Sequence, residues 1–121
     1  MKTLNNIFMG TLDSFSSVSK PTANEMVLGN RTYIQIPLCV EYTNDVYYFK
    51  IFNILKSKYN YGDLVNMFII MVYSNQEMTA IINNYLLDPT DEVALNEFNE
   101  MQAIRKEAKA IAKEILDNYP M

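Results

Sequence analysis

The chain contains no histidine. That removes the commonest general base and the commonest metal ligand together. Ser–His and Cys–His nucleophilic chemistry is excluded, and with one cysteine and no histidine a zinc site is not expected. The lone Cys39 also rules out an intrachain disulfide and suits a reducing compartment. Three isolated glycines cannot cradle a phosphate, and neither G-x-G-x-x-G nor a Walker pattern occurs. The longest apolar run is Met67 to Tyr73, far short of the roughly 20 residues a membrane-crossing helix needs. No apolar stretch precedes a small-residue cleavage site near the start, so no secretory signal is expected. Asn30-Arg31-Thr32 matches a glycosylation acceptor, which without such a signal reads as chance. Together these absences lead us to expect no cofactor, no catalysis and no membrane partner.

What remains is ordinary globular material: 121 residues, 50% hydrophobic and 20% charged, enough for one domain with one core. The net charge of −4 is unevenly placed. Residues 1–60 carry six basic and four acidic side chains, whereas residues 61–121 carry four basic and ten acidic. An acidic surface repels nucleic acid, so such a partner could be met only through the first half.

Three regions follow along a single domain: a helix or arm over 1–22, antiparallel strands over 25–56, and helices over 63–118. Leu4, Ile7, Phe8, Leu12 and Phe15 have helical spacing across residues 2–16, weakened at Gly10. Serines from Ser14 to Ser19, then Pro21, predict a flexible connector. Met26-Val27-Leu28, a Gly29-Asn30 turn and Arg31 to Val40 read as a hairpin. The second strand alternates, with Ile34, Ile36, Leu38, Val40 and Tyr42 on one face and Tyr33, Gln35, Cys39 and Glu41 on the other. Pro37 cannot donate to a ladder, which predicts a sheet edge or a bulge there. After a turn at Thr43-Asn44-Asp45, Val46 to Leu55 is almost wholly apolar; its β-branched and aromatic content favours a strand, with a helix as the alternative.

The helical region is the most legible. Asp63 is the expected N-cap of a helix running to Tyr73. Ser74 and Glu77 form a capping box ahead of Met78, Ile81, Ile82, Tyr85 and Leu86, and Asp88-Pro89 stops that helix. Thr90, as N-cap, opens a long helix to Asn118, with an apolar stripe of Ala94, Phe98, Met101, Ile104, Ala108, Ile111 and Ile115. The short link makes the two helices an antiparallel hairpin, expected to cover the stripe from within. The fold class is therefore α+β: a short N-terminal helix or arm, two to three antiparallel strands, then a C-terminal helical hairpin.

Three sets of candidate contact residues follow. The apolar arm, Leu4, Ile7, Phe8, Leu12 and Phe15, could reach a neighbouring chain. The carboxylates Glu92, Glu97 and Glu100 could present an acidic face to a basic host protein, as nucleic-acid mimics do. Glu100, Glu107 and Glu114 recur every seven residues and read as a solvated flank paired with Arg105, Lys106, Lys109 and Lys113. The stretch Tyr47 to Tyr61 mixes aromatics with lysines and has no acid; Tyr48, Lys50 and Lys58 would serve single-strand binding. A half-buried strand with lysines at its rim is the plainer account. Met67, Met71, Met78 and Met101 read as core filling before they read as an adaptable partner surface.

Tyr73-Ser74 with the helix through Ala80 and Ile81, then Asn99-Glu100-Met101-Gln102 and Lys109, resembles the C-terminal part of small uncharacterised proteins encoded by phages and prophages of gut bacteria. The resemblance covers about residues 62–118 and carries no catalytic residues. It implies a phage gene product acting in the producing cell or within a virus particle. The expected function is a non-enzymatic structural or interaction subunit, with other protein chains or further copies of itself as partners. A small acidic inhibitor of a host protein is the alternative, and single-strand binding a third.

Overall fold

The computed structural model describes residues 3–120; residues 1, 2 and 121, to which the expected N-terminal arm extended at one end, lie outside it. The fold is α+β: one four-stranded antiparallel sheet with helices packed on one face. Helix α1 (Leu4–Gly10) comes first. Strands β1 (Asp13–Ser17), β2 (Asn24–Leu28), β3 (Arg31–Thr43) and β4 (Val46–Leu55) follow, then helices α2 (Tyr61–Ile70), α3 (Asn75–Leu87) and α4 (Glu92–Asn118). The strand order is β1-β4-β3-β2. No helix of the described residues is long and apolar enough to cross a membrane.

The sheet has one strand more than expected. The helical spacing of the N-terminal segment breaks after Gly10, where Thr11 turns its amide and its hydroxyl (2.7 Å) back onto the Phe8 carbonyl. Asp13 to Ser17, expected as a helix running into a flexible connector, instead pairs with Ile51 to Tyr47 along the edge of β4. Phe15 faces Phe49 across that ladder, their ring centroids 6.3 Å apart. β1 and β2 lie at opposite edges, so only residues 18–23 remain as the connector, and they carry the chain across the central β4–β3 pair.

The β2–β3 hairpin forms at Gly29, whose φ of +63° suits glycine. Asn44 and Asp45 both have positive φ (53° and 63°), the two-residue turn that matches strand twist between β3 and β4. Val46–Leu55 is a strand, as favoured. Pro37 lies on a central strand, yet β2 covers β3 only from Arg31 to Gln35, so Pro37 sits where β3 is locally an edge. A bulge follows it between Leu38 and Glu41, with Cys39 at φ +54°. The extra residue reverses the alternation. Glu41 opposes Tyr48 and so joins the face of Leu38, while Tyr42, expected beside Ile34, points to the opposite face.

The core lies between the sheet face made by Ile34, Ile36, Phe52 and Ile54 and three helices. α1 contributes Leu4 and Phe8; α2 contributes Leu64, Val65, Phe68 and Ile69; α4 contributes Met101, Ile104, Ala108, Ala112 and Ile115. Ala108 and Ala112 are fully buried on α4, which packs most heavily against α2, and Ala112 extends the expected stripe. Phe8 meets Phe52 and Phe68 edge-on, at 5.2 and 4.8 Å between centroids, a geometry favoured by the ring quadrupoles.

The starts of α2 and α4 differ from expectation, whereas that of α3 does not. Asn60, not Asp63, caps α2: its side chain accepts the Asp63 amide (2.9 Å) and donates to the Asp63 carboxylate (2.7 Å). α2 ends at Ile70, short of Tyr73. The Ser74–Glu77 capping box forms in both directions at 3.1 Å, so two helices meet there. Asp91, not Thr90, caps α4 by accepting the Val93 and Ala94 amides; Thr90 is instead held by the Asp88 carboxylate. That contact lowers the Asp88 pKa, the Thr90 side chain being the largest cause.

Candidate interaction surfaces

The N-terminal arm is not detachable. Leu4 and Phe8 are fully buried in the chain's own core, and Ile7 and Leu12 are half-buried. Residues i and i+4 share one helix side, and here that side falls between the sheet and α2. Of the five arm residues only Phe15 is substantially exposed. Leu4 and Phe8 therefore cannot serve a neighbour while the chain is folded.

A carboxylate of α4 fixes this arrangement. Thr3 offers no side-chain cap to α1. Glu107 supplies it across the tertiary structure, accepting the Asn5 amide at 2.8 Å and the Leu4 amide at 3.4 Å. The residue read as part of a solvated flank is thus a cap on a helix a hundred residues away. Its negative charge also sits favourably at a helix N-terminus.

The acidic candidates divide. Glu92 is exposed in the first turn of α4, where it complements the helix dipole. Glu97 and Glu100 are brought together, and Glu77 of α3 joins them around a cleft of about 400 Å³ between α3 and α4. Tyr73, Ala80, Ile81 and Asn84 complete its lining. The Tyr73 phenol is pushed up, first by burial and then by Glu100, Glu77 and Glu97. Among the described residues no group of His, Cys, Asp or Glu side chains converges as a metal site would.

Of the nucleic-acid candidates, Tyr48 and Lys50 share a face of β4, but Lys58 stands apart from them. Tyr48 stands exposed near the β3–β4 turn, and Lys50 reaches Ser14 of β1 at 3.4 Å. Lys58 lies in a 3-10 turn (Lys56–Lys58) beyond the opposite end of β4. Tyr48 and Leu55 are separated by about 23 Å at strand rise. Phe52, on the face of Tyr48 and Lys50, is buried and offers no ring to a base.

The surface that sequence reasoning missed is α3. It places no residue in the core. Met78, Ile81, Ile82 and Tyr85 lie half-buried against the rest of the chain, and Tyr85 stacks on Phe98 of α4 at 4.1 Å. α4 packs most heavily against α2, then against α3 and α1, and the α3–α4 hairpin contributes no fully buried residue from its α3 side. Leu86, expected to cover the stripe, is 68% exposed; Leu87 is 87% exposed. The short turn at residues 88–91 brings them to the same end of the hairpin as Val93, 66% exposed. The signal was present in the sequence as Leu86-Leu87 at a helix end, where no stripe position remained for the second leucine.

Compared with protein-family models, curated proteins and solved structures, the chain matches none.

Proposed function

We propose that this chain is a non-enzymatic interaction subunit, a structural or assembly component of a phage particle, which docks onto other protein chains through α3 and its tip. The supporting observation is a well-capped helix of 13 residues that has no fully buried residue and ends in exposed Leu86 and Leu87. Single exposed apolar residues are common on any surface, but here Leu86 and Leu87 end α3 and Val93 opens α4, on either side of one short turn. The resemblance of residues 62–118 to phage-encoded proteins supports the setting. The test is the size at which the chain elutes from extracts of its producing cells. It should elute well above its own 14.0 kDa, and Leu86→Gln with Leu87→Gln should return it to monomer size. Elution of the unaltered chain as a free monomer would overturn the reading.

The acidic cleft favours a second reading, a small regulator that receives a basic side chain of a host protein among Glu77, Glu97 and Glu100. Charge reversal at Glu97 and Glu100 should then abolish capture of that partner, and binding should weaken steeply with salt. Capture indifferent to both would remove it.

A further inference from the structure

A second cavity lies away from α3, between α1, the bulge of β3 and the C-terminal turns of α4, with a volume of about 350 Å³. We infer that it binds a small amphipathic amine, a primary ammonium carried on an apolar body. This site does not depend on the docking role of α3.

The floor is apolar and fixed. Phe8 and Ile115 line it and belong to the buried core. Met9, Leu38 and Ile111 line it half-buried. The bulge adds a residue to β3, and Cys39 and Val40 complete that wall. The Cys39 thiol lies 3.5 Å from the Met9 sulfur, which joins β3 to α1. Tyr119, also in the lining, donates to the Pro37 carbonyl at 2.8 Å and ties the end of α4 to β3. Walls on three anchored elements make a preformed site, at the small end of the roughly 300–1,000 Å³ typical of ligand pockets. At about 30 Å³ for each water-sized group, it has room for about a dozen non-hydrogen atoms.

The rim sets the charge of the ligand. Glu114 is the only acidic or basic residue in the lining. Its carboxylate makes no ion pair or hydrogen bond with another described residue. α4 also ends here. A helix carries negative partial charge at its C-terminus, and the last turn of α4 holds no basic residue to offset it. Lys113, one turn earlier, is engaged with Asp117 at 3.5 Å. A cation beside Glu114 gains from the carboxylate and from the helix end together, and an anion there is opposed by both. The exposed side-chain amides of Asn5 and Asn118 offer carbonyl acceptors to the remaining ammonium protons. A neutral apolar molecule fills the floor but leaves the carboxylate without a partner.

Three probes with one six-carbon body separate these contributions: hexylamine, hexan-1-ol and hexanoate. Each is titrated into the purified full chain at pH 7 and low salt and followed by amide chemical shifts. Hexylamine should saturate with a dissociation constant on the order of a millimolar, as suits about seven non-hydrogen atoms, and should shift the amides of Met9, Cys39, Val40 and Ile111. Hexan-1-ol should shift the same amides and bind at least about fivefold more weakly, and hexanoate more weakly still. High salt should remove most of the difference between amine and alcohol. Glu114→Gln should bring hexylamine to the level of hexan-1-ol and leave the alcohol unchanged. Glu92→Gln, the same change at the other end of α4, should alter neither. Equal binding of the three probes, shifts that rise without saturating, or an amine affinity unmoved by Glu114→Gln would each overturn the inference. Shifts confined to Ala80, Ile81 and Asn84 would place the amine in the α3–α4 cleft and overturn it equally.

Discussion

Glu107 shows why single-residue roles were the hardest part to read. Its sequence neighbours are other charges at helical spacing, and nothing local separates a solvated carboxylate from one that caps α1. Glu107→Ala should cost about 1 kcal/mol, the usual worth of an N-cap. Denaturant midpoints should fall without a change in slope, and the Leu4 and Asn5 amides should lose protection from hydrogen exchange. The end of α4 is held by a second long-range contact. Tyr59 donates to the Tyr119 carbonyl at 2.6 Å, and Tyr119 donates to the Pro37 carbonyl at 2.8 Å. Burial raises the pKa of both phenols, and for Tyr59 the nearby Tyr119 adds to it. A raised folded pKa means that the folded state holds the proton more tightly than the unfolded one. The stabilisation is therefore complete below the unfolded tyrosine value of about 10 and is lost as pH rises beyond it. Unfolding titrations should give the same contribution at pH 8 and 9 and a falling one above 10, and Tyr59→Phe should flatten part of that fall. An unchanged profile in the variant would show that the clasp does not contribute.

Elements with their own periodicity were legible: the long α4, the capping box of α3 and the two hairpin turns all depend on residues adjacent in sequence. β1 was not, because Ser14, Ser16 and Ser17 carry little strand preference and the pairing is supplied by the edge of β4. The bulge at Cys39 was missed in part for a related reason. Pro37 signalled an irregularity, but an extra residue cannot be placed until the register with β4 is known. The helices differ sharply in what they bury, and that difference is testable. Phe68→Ala in α2 empties a site between Phe8 and Phe52 and should cost roughly 3–5 kcal/mol. Leu87→Gln in α3 should change stability by less than about 0.5 kcal/mol, as exposed substitutions do. Thermal melts of the two variants measured together would distinguish a core helix from a docked one.

For the whole molecule, the sequence showed an α+β chain with an acidic helical half and mistook which part stands free. The arm is built into the core: removing residues 1–20 would take away Leu4, Phe8 and β1, and should unfold the domain rather than release it intact. Of the four α-helices, α3 alone has no fully buried residue and is held by caps, short turns and half-buried contacts. A helix with no core residue opens at lower free energy than the elements around it. Hydrogen exchange of the purified chain resolves this directly, comparing residues 75–87 with α4. The account predicts that α3 amides exchange through a local opening, at lower free energy than the amides of α4. Equal protection of α3 and α4 would contradict it.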